Sequence, residues 1–174
     1  SNIHAVLITV LITFLILNNI RKVINTVIKT ACILLFGFMV IIGTYQILVR
    51  YIFNNPSTIS EELLTYSFTW MSLFAAAYVF GKREHMRMGF LADKLSSKKL
   101  TILNVIIEII TIAFALIVMV YGGVSITSLS MTQKTASLGI PMGYIYIVLP
   151  ITGIIITLYG ILNIIGLIRK GENA

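Results

Sequence analysis

The sequence predicts an all-α integral membrane protein. Four transmembrane helices make the core, with interfacial amphipathic segments and an additional N-terminal hydrophobic helix. Three observations predict this. The 174-residue chain is 58% hydrophobic and only 11% charged, whereas soluble domains carry roughly 25% charged residues, so it cannot cover a water-facing surface. Charge-free apolar runs recur at about 20 residues, the length that crosses a hydrocarbon core. The remaining charge is gathered between Arg50 and Lys99, which hold four of the six acidic residues and seven of the thirteen basic ones. That stretch reads as a loop with a carboxylate pair, one span, and a basic loop on the other side.

The first element, residues 1–20, is apolar on all sides over residues 3–17. It forms either a fifth span or a short, tilted, membrane-embedded helix. Residues 21–29 place Val23, Ile24, Val27 and Ile28 on one helical face and Arg21, Lys22, Asn25 and Lys29 on the other, the pattern of an interfacial segment. The first core span follows at about 30–50, with Gly37 and Gly43 allowing close packing. A loop at 51–59 contains the turn signal Asn54-Asn55-Pro56-Ser57.

The second span covers 60–81. Ser60 is expected to cap it, with Glu61 and Glu62 in the first turn, where the helix dipole favours acids. The alternative role for the two glutamates is pairing with Arg50 or with a partner subunit. Trp70 lies about 10 Å into this helix by the helical rise and reads as a packing residue. Ala75, Ala76 and Ala77 offer a smooth face to a neighbour. The basic loop at 82–99 carries Lys82, Arg83, Arg87, Lys94, Lys98 and Lys99. It is expected to hold a short surface helix over 86–95, and His85 reads as a hydrogen-bonding or interfacial residue.

The third span, 100–122, contains Glu108. A carboxylate inside a membrane is costly and marks a functional or interface position. Asn104, one turn earlier, is placed to bond it. Residues 123–141 are polar for this chain and read as a second loop. The last span covers 142–168. Pro141 can start it, and Pro150 is expected to kink it by freeing the Tyr146 carbonyl.

Basic residues set the orientation. With loop 82–99 cytoplasmic, eleven of the thirteen lie inside and only Arg50 and Lys134 outside, so the positive-inside rule places loops 51–59 and 123–141 outside and the C-terminus in the cytoplasm. The net charge of +7 therefore reports topology, and no nucleic-acid partner is expected. The lipid bilayer is the expected partner of the apolar faces. The lone Cys32 and the two histidines, His4 and His85, give no set of metal ligands, and no nucleotide-binding or metalloprotease motif is present. No cofactor, metal or catalytic residue is expected.

The run Q-I-L-V-R-Y-I-F-N at 46–54, a proline, S-E-E-L at 60–63, an aromatic-rich span and G-K-R-E-H at 81–85 resemble the small membrane subunit of TRAP (tripartite ATP-independent periplasmic, DctQ-like) transporters. The resemblance covers about Asn19 to the C-terminus. It places Arg50, Phe53, Pro56, Glu61, Glu62 and His85 at family positions and implies that they form a subunit interface. Ile59 stands where the family often has tryptophan, Gly89 where it often has aspartate, and the family usually lacks the stretch before Asn19.

The resemblance implies a non-catalytic scaffold. Its partners would be a large substrate-translocating membrane subunit and a periplasmic substrate-binding protein docking at the outer face. Their joint activity would be sodium-coupled uptake of an organic acid such as a C4-dicarboxylate or sialic acid across the bacterial inner membrane. Two other classes compete. One is an autonomous proton-coupled carrier using Glu108. The other is a redox-complex anchor ligating haem, which would need histidines within helices.

Overall fold

The computed structural model describes residues 2–82 and 97–172. Among them the secondary structure is helical, with four helices long and apolar enough to cross a membrane. The chain is thus built as a multi-pass membrane protein.

Helix α1, Asn2–Ile47, is continuous and extends about 69 Å at 1.5 Å per residue. Segments 1–20, 21–29 and 30–50 of the sequence reading are therefore one rod. It runs on through a π-helical turn at Leu48–Ile52, where Phe53 N–H reaches back to the Leu48 carbonyl (3.2 Å). Asn54 then takes a left-handed conformation (φ 49°), which asparagine tolerates better than most residues.

Helix α2, Thr58–Gly81, is capped by Ser57, whose hydroxyl accepts from Ser60 N–H. The cap thus sits three residues before the expected Ser60. Ser60 is instead buried in the first turn and turns its own hydroxyl onto the Ser57 carbonyl (3.0 Å).

Helix α3, Ser97–Phe114, continues through a π-helical stretch at Ala115–Tyr121 into α4, Gly122–Ser130. Residues 123–130, expected as loop, are helical. Their polar side chains do not break the helix because they bond within it: Ser125 donates to the Tyr121 carbonyl (3.0 Å) and Thr127 to that of Gly123 (2.7 Å).

The loop proper is 131–142, closed as a small hairpin by Thr135 N–H to the Ile140 carbonyl (2.9 Å) and Met142 N–H to that of Gln133 (2.7 Å). Helix α5, Gly143–Tyr146, is one turn, and α6 runs Val148–Glu172. The break between them falls where Pro150, lacking an N–H, cannot bond Tyr146.

The helices stand in a row. Helix α1 packs on α2, α2 on α6, and α6 on the α3 rod. The α5–α6 span is accordingly the enclosed one: 44% of its most apolar window is buried, against 11% for α2 and for the α3–α4 rod and none for α1. Ile28, Ala77, Ala115, Met119, Ile156 and Tyr159 form the buried cluster where these elements meet. Most other large apolar residues point outward, as in a protein solvated by lipid.

Glycines set the α6–α3 distance. A Cβ on Gly153 would lie 2.8 Å from Met119 Cβ and 3.0 Å from the Ala115 carbonyl oxygen. Gly153→Leu should therefore force the two helices apart. Overpacking costs typically about 1–3 kcal/mol, so a lower unfolding midpoint in detergent is expected. An unchanged midpoint would show that this contact is slack.

Candidate functional site

The polar residues that apolar helices can least tolerate converge at the end of the row where α2 stops and Lys82 opens the basic stretch. The sequence brings them there on four helices. Asn163 on α6 is the only carboxamide or carboxyl side chain in the run 142–168, and it is 1% exposed. Its Oδ1 accepts from Arg21 Nη2 of α1 (2.9 Å). Its Nδ2 donates to the Phe80 carbonyl of α2 (3.0 Å) and to Glu108 Oε1 of α3 (3.3 Å). One amide thus ties α1, α2 and α3 to α6.

Arg21 has a second task. Its Nη1 donates to the Gly81 carbonyl (2.7 Å). This satisfies one of the orphan carbonyls at the end of α2 and places a cation at the negative end of the helix dipole. Gly81 must be glycine here, because a Cβ would fall 2.5–2.7 Å from the Tyr159 ring. The Tyr159 hydroxyl donates in turn to Asn25 Oδ1, a second link between α6 and α1. Glu108 is 3% exposed, so a carboxylate, an amide and a guanidinium share one low-dielectric junction. Hydrogen bonds to charged groups are stronger there than in water.

Glu108 stands out in the sequence as a carboxyl in an apolar run, but its partner does not. The amide that bonds it comes from Asn163, on another helix, rather than from Asn104 one turn away; Asn104 is half-buried. Arg21 and Asn25 read as interfacial, yet both bond into α6. A lone amide in an apolar run was the available signal for Asn163.

At the opposite end, the Glu62 carboxylate grips the tip of the hairpin loop. Ser137 N–H donates to its Oε1 (2.8 Å) and Leu138 N–H to its Oε2 (3.0 Å). Trp70 adds a nearby tie: its indole N–H donates to the Ile145 carbonyl (3.1 Å), and its ring meets Phe74 edge-on at 5.9 Å. Trp70 is thus a packing residue with its polar atom used. Of the three alanines only Ala77 is buried.

The remaining family positions split from Glu62. Glu61 is exposed, and no ion pair joins Arg50 to either glutamate among the described residues. Arg50 lies 5.9 Å over the ring of Tyr51. Tyr51 and Phe53 are 72% and 70% exposed, and Pro56 is exposed beside them. The π-helical turn and the left-handed Asn54 therefore present an aromatic and cationic knuckle on the surface. In the basic stretch, Lys82 lies over the Tyr78 ring (5.1 Å), and Lys98 and Lys99 are exposed. Arg83, His85, Arg87, Lys94 and the surface helix expected at 86–95 lie outside the described residues.

Comparison with known proteins fits this layout. The family model for the DctQ component of tripartite ATP-independent periplasmic transporters matches residues 39–170. The sialic acid TRAP transporter small permease protein SiaQ of Vibrio cholerae is 29% identical over 143 residues, covering 79% of each chain. A Haemophilus influenzae protein named as a TRAP transporter small permease is 24% identical over 141 residues, 81% of this chain and 87% of the relative.

Proposed function

We propose, from the premise that this chain belongs to the DctQ component family of TRAP transporters, that it is the non-catalytic small membrane subunit of such a transporter. It packs against the large substrate-translocating subunit and enlarges its fixed scaffold. The observation that carries this is how the polar groups within the helices are used. Arg21, Asn163, Glu108, Glu62 and Trp70 bond one helix to another or to a loop. The row of helices presents broad apolar faces, the shape of a slab that meets lipid on one side and another membrane protein on the other.

The transported substrate is an organic acid of the sialic acid or C4-dicarboxylate class, taken up with sodium and delivered by a periplasmic binding protein. The V. cholerae relative named for sialic acid supports that class. The chain sits in the bacterial inner membrane with its basic loop and C-terminus in the cytoplasm. The knuckle of Arg50, Tyr51, Phe53 and Pro56, with Glu61, faces the periplasm as the interface for the larger subunit or the docked binding protein.

The test is extraction in mild detergent from the native host, followed by sodium-driven uptake in liposomes. A larger multi-span protein should co-purify in stoichiometric amount, and Glu108→Gln should leave uptake near the parent rate in a complex that remains assembled. Transport by this chain alone, abolished by the same substitution, would instead establish the proton-coupled carrier.

A further inference from the structure

The bond from Arg21 to the Gly81 carbonyl marks a level on α1. Gly81 ends α2, and the next residue opens a stretch, 82–99, with six basic residues. Such a cluster lies at the membrane–water border, not in hydrocarbon. Arg21 is therefore at that border too. From Arg21 to Ile52 the rod is about 47 Å long, enough to cross the hydrocarbon core and both headgroup layers, which total about 40–45 Å. Residues 2–20 are surplus to that crossing, and a straight α1 carries them about 28 Å beyond the border.

Every residue from 2 to 20 is exposed except the half-buried Leu17. Exposure is spread around the helix, as Ile3, Leu7, Leu11 and Leu15 show on one side and Ile8, Ile12 and Ile16 on others. A helix lying in the interface has one polar face. This one has none before Asn18 and is apolar on all sides, the pattern of an immersed helix. Up to the asparagine pair it is about 24 Å long, a short span that local thinning of the roughly 30 Å hydrocarbon core accommodates.

We infer that in the bilayer this segment is a span of its own. The chain hinges at Asn18–Asn19, residues 3–17 fold back through the membrane, and His4 emerges on the side of Pro56. The occupant of its apolar surface is lipid hydrocarbon. The asparagine pair is the one polar interruption between Ile3 and Arg21 that suits a turn, since asparagine is a weak helix former and a strong turn residue. Two to five residues suffice to join antiparallel helices. Arg21 keeps its bonds to Gly81 and Asn163. The contact between Arg169 and the Phe14 ring (5.2 Å) is exchanged for lipid.

Cysteine labelling of the full chain tests this, because Cys32 is the only native cysteine and Cys32→Ala clears the background. In sealed membrane vesicles, His4→Cys should react with a membrane-impermeant maleimide from the same side as Asn55→Cys, with Lys98→Cys reacting only after permeabilisation. Reaction of His4→Cys on the Lys98 side would overturn the inference. Protection of His4→Cys from both sides until detergent is added would overturn it as well, placing the segment against a partner or within one leaflet. None of these outcomes depends on the transporter assignment, because each compares sites on this chain.

Discussion

Asn163→Leu is expected to be the most destabilising single substitution in this protein. It removes three hydrogen bonds at one stroke and leaves Glu108 without its amide and Arg21 without its Oδ1 acceptor. Bonds between membrane helices average about 0.6 kcal/mol, up to about 1.7. Taking a donor away from a buried charged group costs more, about 1–3 kcal/mol. Added together for the three lost bonds, they give an expected loss of about 2–4 kcal/mol. It should appear as a lower unfolding midpoint in detergent and as early loss of the monodisperse species on size-exclusion chromatography. The double variant Asn163→Leu with Glu108→Leu should recover part of the loss, because it removes the carboxylate that has lost its amide donor. A single variant as stable as the parent would mean that Glu108 and Arg21 find each other or water without Asn163.

Glu62→Ala should release the loop at 131–142. Its carboxylate holds two adjacent backbone N–H groups, those of Ser137 and Leu138, with one oxygen each. No other side chain donates or accepts at those two amides among the described residues. Amide exchange at 137 and 138 should accelerate several-fold, while exchange in α2 below the first turn stays slow. Glu61→Ala, one residue away on the exposed side of the helix, should leave this exchange unchanged. The pair separates two roles that adjacent glutamates share in sequence: Glu62 organises the loop, and Glu61 remains available to a partner. If transport by the assembled complex falls with Glu61→Ala while loop exchange does not move, Glu61 acts at an interface. Equal acceleration by both substitutions would show that the loop depends on local charge rather than on the two bonds.

The parts of the fold that could be read in advance share a physical basis. Apolar runs of span length report burial in lipid whatever their neighbours do, so the helical class and the membrane setting followed from composition and hydropathy alone. Pro150 marked the α5–α6 break because a missing N–H acts locally. The motif from Gln46 to His85 carried the family. The boundaries were less legible. Ser125 and Thr127 looked like loop residues but satisfied their hydroxyls on carbonyls one turn back, so the rod ran to Ser130. Ser57 and Ser60 are both competent caps, and the backbone conformation at Ser57 (φ −107°, ψ 113°) decided between them.

The site divides along the same line. Glu108 was visible because a carboxylate in an apolar run is anomalous by itself. Its partner was not, because hydrogen bonding between helices depends on which faces meet, and hydropathy says nothing of that. A helix of this chain is apolar nearly all round, so periodicity could not tell the packed face from the lipid face. Sequence alone therefore determined that this protein lives in a membrane, where its charges collect, and which family it resembles. Only the tertiary structure decided that α6 stands between α2 and α3, that Arg21 reaches the end of α2, and that Asn163 joins four helices. In lipid the hydrophobic effect does not choose among apolar faces. Close approach at glycines such as Gly81 and Gly153, and the need to pair each polar group, make that choice.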